Sequence, residues 1–481
     1  MALPVNPKQS WPPLRENGGD LDTWAAWYSG DPQRLTADAQ PQQNRTARLF
    51  FWKRRTPVGK AQSGLHMPLA GELASVSADL LFGDAFDLTV TDKAAAKRLD
   101  ELRSETSLQN KLLEGAETCA ALGGAYLRAS WDKGLADEPF LTTMLPDHAV
   151  PEFRYGRLTA VTFWREVAGE SQKGIVLRHL ERHERGVILH GLYRGEKDLL
   201  GHSIDLKASP DTEGLEPVIT LPDALARRLA VAYVPNVLPD KRRPTSPQGR
   251  ADVEGCESLL DALDETYTSW MRDIRHGKSR IVVPADALEP AVFGGGRGAG
   301  KSFDADREVF TELEVDPQHM DITPVQFDLR TAEHGETALH LFERIVSEAG
   351  YSPQTFGLRI EGRAESGTAL RLREARTFKT MARKQRYWAP ALADACELLL
   401  VLDGAIFGRA VTAERPRVTW PEETATPQEV AQTLTLLRTA EAASTETMVR
   451  MLHADWDDKL VASEVARIQA ERGTPVPEPA F

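Results

Sequence analysis

Residues 333–388 read EHGETALHLFERIVSEAGYSPQTFGLRIEGRAESGTALRLREARTFKTMARKQRYW. The first part repeats apolar residues every three or four positions, which predicts a helix over residues 331–350 that ends at a glycine. A loop with little apolar periodicity follows over residues 351–366. Small and apolar residues then recur with helical spacing over residues 367–402, and Pro390 predicts a kink in this second helix. The order helix, loop, kinked helix is the most specific pattern in the chain.

The kinked helix is strongly basic before its proline. Seven cations stand there against a single acid, and they are Arg371, Arg373, Arg376, Lys379, Arg383, Lys384 and Arg386. Such a stripe can contact DNA, form ion pairs with a neighbouring subunit, or be a solvated helix face. We favour ion pairs across a subunit boundary, because an earlier helical stretch offers several acids. These acids are Glu257, Asp261, Asp264 and Glu265.

The remaining chain mixes helical and extended segments. Residues 140–193 are rich in β-branched and aromatic residues between glycine or charged turns, which predicts an antiparallel meander. Residues 251–277 repeat apolar residues along one side of a long helix. A compact insertion follows over residues 278–330, and two or three further helices are predicted between 427 and 471. The chain is therefore predicted to be a mixed α+β protein of more than one domain.

Composition excludes several classes of protein. The net charge of −13 argues against a protein that grips DNA tightly, since such proteins present a basic face to the phosphates. No apolar run approaches the roughly 18 to 20 residues of a membrane helix, and the start lacks the pattern of a signal peptide. We expect no disulfide framework or zinc knuckle, because the three cysteines are far apart; they are Cys119, Cys256 and Cys396.

Three histidines are candidate metal ligands. His179 and His183 lie four residues apart and His190 follows, all in strand-like sequence. Four residues along a strand span about 13 Å, which is too far for shared coordination. We therefore predict no metal site.

Residues 333–388 resemble the core of the portal proteins of tailed bacteriophages, of the long-tailed siphophage type. Three further segments occur in the order that such proteins show: WYSGDPQRL at 27–35, HMPLAGELASVSADLLFGD at 66–84, and SEVARI at 463–468. The resemblance extends over nearly the whole chain, and its central segment is the specific part.

The resemblance implies a multi-domain portal fold with long stem helices, an antiparallel β wing, a small α/β clip and a helical crown. In chain order the implied parts are an N-terminal arm and wing (1–250), a stem helix (251–277), the clip (278–330), a second stem helix (331–350), a tunnel loop (351–366), a kinked wing helix (367–402), a wing strand (403–425), crown helices (426–472) and a disordered tail (473–481).

The resemblance also implies a closed ring, commonly of twelve copies, at one vertex of the capsid. Double-stranded DNA would pass through it during packaging and ejection. The implied partners are the major capsid and scaffolding proteins, the large terminase subunit and the head–tail connector. Assembly would take place in the host cytoplasm and the ring would end in the virion, with no enzyme activity, no cofactor and no membrane contact.

The tunnel loop implied by the resemblance carries charges of both signs. The residues of this loop that we expect at the DNA channel are Gln354, Arg359, Glu361, Arg363 and Glu365. Arginines in such a loop would touch phosphates briefly, while the acids keep the net attraction low, which suits sliding DNA. An ordinary connection between two helices would have the same composition.

One motif favours a different function. GGRGAGKS at residues 295–302 matches the phosphate-loop pattern and would suit a P-loop ATPase of the packaging motor. That loop needs a buried strand before it and a helix after it, whereas Pro284 and Pro290 interrupt the approach and a strand-like segment follows. We therefore predict no ATP binding. Another ring-forming head–tail connector is the remaining alternative, although such connectors are usually much shorter than 481 residues.

Overall fold

A computed structural model of the protein describes residues 3–13, 18–31, 34–35, 65–168, 174–277, 280–284, 312–313, 323–325, 329–357, 367–421, 427–440, 442–453 and 456–473. The chain divides into two compact units. The larger unit contains residues 1–360 and 373–420, and the smaller contains residues 361–372 and 421–481.

The described residues form ten α-helices. They are α1 (Gly18–Ser29), α2 (Leu69–Phe82), α3 (Lys93–Glu105), α4 (Leu108–Leu122), α5 (Glu257–His276), α6 (Thr331–Ala349), α7 (Gly367–Phe407), α8 (Pro427–Thr439), α9 (Thr445–Leu452) and α10 (Asp458–Gly473). Some of these helices have an N-cap side chain. Before α3, the Asp92 carboxylate accepts a hydrogen bond from the backbone amide of Ala95 at 3.2 Å. None of the described helices is long and apolar enough to cross a membrane.

Fourteen strands are described. They are β1 (Asp87–Thr89), β2 (Gly124–Ser130), β3 (Phe140–Met144), β4 (Ala149–Arg154), β5 (Arg157–Val167), β6 (Ile175–Glu184), β7 (Val187–Glu196), β8 (His202–Ile204), β9 (Val218–Thr220), β10 (Val231–Pro235), β11 (Arg280–Pro284), β12 (Glu312–Leu313), β13 (Thr323–Val325) and β14 (Arg417–Thr419). The mixture of helices with antiparallel sheets confirms the predicted mixed fold class.

The largest sheet is an antiparallel meander. Strands β4, β5, β6 and β7 pair in chain order, and β8 and β9 both pair with β7. The meander begins at Ala149 and not, as predicted, at Phe140. A short 3₁₀ helix at Pro146–His148 redirects the chain, so that β3 pairs with β2 in a separate sheet of order β10–β2–β3.

Helices α5 and α6 lie antiparallel. The Sγ atom of Cys256, just before α5, is 4.0 Å from the carbonyl oxygen of Ile345 near the end of α6. At the opposite ends, Asp273 of α5 accepts from Arg330 at 2.7 Å and lies 3.0 Å from His334 of α6. These are the two helices that we predicted as stems.

Helix α7 is the longest element and continues through Pro390 to Phe407. Its Trp388 is 1% exposed and meets Phe82 of α2 edge to face, with ring centroids 4.9 Å apart. A β-carbon at Gly115 of α4 would stand 2.6 Å from the Thr143 side chain of β3, so glycine is needed for this helix to lie against the sheet. The main apolar core therefore forms between α7, α2, α4 and the β2 sheet.

The smaller unit contains α8, α9 and α10. Within it, Val449 of α9 and Val461 of α10 are buried, and Arg450 pairs with Asp458 at 2.7 Å. These three helices occupy the segment that we predicted to be a helical crown.

Candidate functional site

A buried lysine attaches α7 to the rest of the larger unit. Lys384 is 1% exposed, and its Nζ atom donates to Asp252 Oδ2 and to Ser77 Oγ at 2.6 Å each. The Tyr351 hydroxyl donates to the same Asp252 oxygen at 2.7 Å, and Asn236 Nδ2 donates to Oδ1 at 2.8 Å. A buried charge is tolerated only when it is paired and hydrogen-bonded, so this network sets the rotation of α7 about its axis.

Tyr351 serves the network as a hydrogen-bond donor. Burial, together with the negative charge of Asp252, raises the pKa of Tyr351 well above its ordinary value. The phenol therefore keeps its proton throughout the physiological range.

The beginning of the predicted tunnel loop is attached to the same helix. The backbone amide of Ser352 donates to Thr377 Oγ1 at 2.9 Å, and Thr380 Oγ1 donates to the carbonyl oxygen of Gly350 at 2.6 Å. Gly350 has a φ of 98°, and a β-carbon there would stand 2.9 Å from the Thr380 hydroxyl. Only glycine suits both the left-handed backbone and the close approach.

The predicted channel residues of the tunnel loop are only partly placed. Gln354 is half-buried in a 3₁₀ helix at Pro353–Phe356. The other four lie outside the described residues, and they are Arg359, Glu361, Arg363 and Glu365. The GGRGAGKS motif at 295–302, for which we predict no ATP binding, also lies outside them.

Four cations of the predicted stripe share one exposed face of α7. They follow each other at steps of three, four and three residues, and they are Arg376, Lys379, Arg383 and Arg386. Residues at this spacing lie along one side of a helix. Arg383 donates to the carbonyl oxygen of Leu238, and all four side chains are exposed. We name these four residues the α7 basic face.

Lys384 departs from the predicted stripe. It points to the opposite side of α7 and makes its ion pair with Asp252 inside its own chain, so it cannot also pair with a neighbouring subunit. Burial explains this: its side chain lies between α7 and α2, where only an internal carboxylate can compensate the charge. Arg371 and Arg373 lie on the described backbone of α7, but their side chains lie outside the described residues.

Two of the acids proposed as partners of the stripe are used within the chain. Glu257 accepts from Arg242 at 2.7 Å. Asp264 accepts from the amide of Met67 at 2.9 Å and lies 2.8 Å from the His66 ring. The other two acids, Asp261 and Glu265, are exposed on α5.

A second buried ion pair holds the far end of α7. Arg98 of α3 donates from Nε to Asp403 Oδ2 at 2.8 Å and from Nη2 to Oδ1 at 3.2 Å. Asp403 is fully buried, and Glu101 and Glu138 each accept from the same guanidinium at 3.1 Å. The bidentate bond to Asp403 raises the pKa of Arg98 further above its already high ordinary value.

The three histidines considered as metal ligands meet on the large sheet, beside a cavity of about 540 Å³. Nε2 of His179 lies 3.1 Å from Nδ1 of His190 on the adjacent strand, and the two rings are stacked. His183 lies 2.6 Å from Glu181, which also accepts from Arg128 at 2.6 Å. Within the part of the chain that the structure describes, no group of three or more His, Cys, Asp or Glu side chains is arranged to hold a metal ion.

Burial, together with the neighbouring His190, lowers the pKa of His179 from 6.5 to about 4. In the unfolded chain, His179 therefore binds a proton near pH 6.5. In the native state, it binds that proton only near pH 4. Between these values the unfolded state holds more protons, so we expect the free energy of unfolding to fall on acidification by about 1.4 kcal/mol per pH unit for this histidine. Denaturant unfolding at several pH values between 7 and 4 measures the loss.

The control for this prediction is His179→Phe, which keeps a stacked ring and cannot titrate. Its unfolding free energy should depend less steeply on pH than that of the natural protein. Identical slopes for the two proteins would contradict the assignment to His179.

The sequence analysis did not predict the Lys384 network, although the sequence contains one indication of it. Thr377, Lys384 and Trp388 recur at steps of seven and four residues, and all three are 1% exposed. A lysine on the same helical face as a core tryptophan indicates a buried, paired charge. The partner Asp252 carries no comparable signal, because it lies 132 residues away in the sequence.

Comparison with known proteins gives one family and several structures. The family model described as "Phage portal protein, SPP1 Gp6-like" matches residues 231–477. Two solved chains are similar, each at 13% identity and a TM-score of 0.41. One is from the virion of a native gene transfer agent particle, and the match covers 85% of this chain and 98% of that chain. The other is from the neck of the native particle computed with C12 symmetry, and the match covers 84% of this chain and 94% of that chain. No curated protein sequence matches the chain.

Proposed function

The chain belongs to the SPP1 Gp6-like phage portal proteins, and on that premise we propose that it assembles into a closed ring at one vertex of the capsid. Double-stranded DNA passes through the ring during packaging and ejection. The observation that carries the proposal is the family match, which covers more than half of the chain and includes α5 to α10.

The structure of α7 supports this role physically. Its rotation is set by the buried Lys384 network at one position and by the Arg98–Asp403 pair further along. The α7 basic face is therefore held outward in a constant orientation. In a ring each such element is repeated once per subunit, so weak contacts of a single face add up around the axis.

The same premise supplies the proposed anatomy and partners. We assign α5 and α6 to the stem, residues 278–330 to the clip, residues 351–366 to the tunnel loop, the large sheet to the wing, and α8 to α10 to the crown. A ring of twelve copies docks the large terminase subunit and later the head–tail connector, and meets the major capsid and scaffolding proteins during assembly. It resides in the virion and performs no catalysis.

Imaging of the purified protein tests the proposal. Negative-stain electron microscopy is expected to show rings with a central hole, and mass measurement in solution should give a closed oligomer. A uniformly monomeric preparation at high protein concentration would refute the ring. A packaging ATPase would instead hydrolyse ATP, and its hydrolysis would be lost in Lys301→Ala.

Reversing charges on the α7 basic face is expected to weaken the ring. In Arg376→Glu/Lys379→Glu, two exposed cations become anions facing the neighbouring subunit, so like charges meet where opposite charges are proposed. Light scattering after size-exclusion chromatography should show dissociation at subunit concentrations where the natural protein is assembled. The unfolding free energy of the subunit should change by less than about 1 kcal/mol, because both residues are exposed.

The matched control reverses two exposed cations on other helices, Lys97→Glu/Lys111→Glu. Their side chains are 81% and 47% exposed, and rings of this variant should remain intact. If the α7 variant forms normal rings but fails to retain DNA, the face contacts DNA and the proposed subunit contact is wrong.

A further inference from the structure

A groove of about 670 Å³ lies between the large sheet and α7. Four exposed arginines line it, and each comes from a different segment: Arg157 at the β4–β5 turn, Arg185 at the β6–β7 turn, Arg227 before β10, and Arg386 on α7. We name it the arginine groove. The remaining lining is mainly apolar and includes Leu158, Leu229, Tyr387 and Leu398.

The positive charge of this groove has no compensating acid among the described residues. Its other charged residues are already paired, Arg228 with Glu397 at 2.9 Å and Asp394 with Arg415 at 2.7 Å. The guanidinium groups of the four lining arginines, in contrast, make no ion pair or hydrogen bond within the described parts of the chain. Four converging cations over an apolar floor suit an acidic chain segment that also carries an apolar side chain.

The same sheet carries such a segment outside the groove. Residues 205–216 contain four exposed acids and a single base; the acids are Asp205, Asp211, Glu213 and Glu216. Val218, just beyond them on β9, is 55% exposed. We name residues 205–218 the acidic segment.

None of the residues 205–218 lines the arginine groove of its own subunit. Arg157 begins β5, and the amide of Ala168, just past the end of β5, donates to Asp211 Oδ2 at 3.2 Å. Asp211 is therefore about 36 Å from Arg157 along β5, whereas the other end of the segment, Val218 on β9, pairs with Leu189, four residues from Arg185. The backbone of the segment is fixed by the pairing of β9 with β7 and by the bond from the His190 amide to the Pro217 carbonyl, so its acids can fill an arginine groove only on another copy of the chain.

We propose that the acidic segment of one copy docks in the arginine groove of the next. The inference rests on the proposed ring. Because two different surfaces meet, the contact is head to tail, and repeated rotation by a constant angle closes such contacts into a ring. A peptide segment suits the groove better than a DNA duplex, because the groove is concave and its apolar floor offers nothing to phosphates.

Two charge-reversed variants test this contact. The groove variant is Arg157→Glu/Arg185→Glu, and the segment variant is Glu213→Lys/Glu216→Lys. All four residues are exposed, so both proteins are expected to fold. Each variant alone places like charges in every contact, and the subunit concentration for half-assembly should rise by at least about 100-fold. The control Lys97→Glu/Lys111→Glu should assemble normally.

Mixing the two variants gives the decisive result. The reversed groove of one variant matches the reversed segment of the other, and the two natural surfaces also match each other. An equimolar mixture should therefore form rings in which the variants alternate, with an even number of subunits and a one-to-one ratio by native mass spectrometry. Restored assembly also shows that each variant is folded.

Each other outcome overturns the contact. Normal rings from either variant alone would show that the groove or the segment is not an interface, while the proposed function stands. Folded variants that stay unassembled after mixing would show that the two surfaces do not meet. Normal rings with lost DNA retention in the groove variant would assign the groove to DNA. Absence of rings in the natural protein would refute the proposed function itself.

Discussion

Replacing Lys384 with methionine is expected to lower the free energy of unfolding by about 3–5 kcal/mol. Methionine fills most of the space of the lysine but leaves the Asp252 carboxylate buried without its cation. Asp252 is 2% exposed at its side chain and cannot recruit bulk water in exchange. Denaturant unfolding followed by fluorescence of the buried tryptophans, Trp388 among them, measures the loss.

Lys379→Met is the matched control, since Lys379 lies on the exposed side of the same helix. Its effect should stay within about 0.5 kcal/mol. The double variant Lys384→Met/Asp252→Asn should recover part of the loss, because it removes the uncompensated carboxylate as well. Equal stabilities of Lys384→Met and Lys379→Met would show that the buried pair contributes nothing.

Replacing Arg98 with methionine is the second change with a large expected effect, again about 3–5 kcal/mol. Among the described residues, it would leave the fully buried Asp403 with Arg409 as its compensating cation, with the Nε atom of Arg409 3.4 Å away. Glu105 and Glu138, which lie next to each other, would also lose their shared partner, and their mutual repulsion would be uncompensated. The free energy of unfolding at neutral pH measures the effect.

Lys97→Met is the neighbouring control on α3. Its side chain is 81% exposed and its pair with Glu101 spans 3.5 Å, so its loss should cost less than about 0.5 kcal/mol. A double-mutant cycle between Arg98→Met and Asp403→Leu should give a coupling free energy well above 1 kcal/mol. Additive effects of the two changes would contradict a direct interaction.

The two buried pairs together explain how α7 is held. Lys384 and Asp403 are nineteen positions apart on one helix, which is about 28 Å along its axis. Between them the helix is embedded in the apolar core through residues such as Leu392 and Leu399, both fully buried. Fixation at two points keeps the α7 basic face, together with residues 350–352, in a constant relation to α2 and α3.

Local pattern was sufficient for much of this fold. Helices α5, α6 and α7 form where apolar residues recur at three- and four-residue spacing, because that spacing produces one face that must be buried. The glycine at 350 ends α6 because only glycine adopts its left-handed backbone without strain. The β-branched stretches form the antiparallel sheet, and only β3 was placed in the wrong sheet, since strand partners depend on contacts beyond the local sequence.

The sequence by itself therefore determined the type and order of the elements and the family resemblance, since these depend on the spacing of neighbouring residues. Only the tertiary structure decided which charges are buried. Lys384 looked like one member of a basic stripe, and the helix rotation that directs it toward Asp252 depends on packing against α2 and Tyr351. The arginine groove could not be predicted from the sequence either, because its four arginines come from separate segments that only folding brings together.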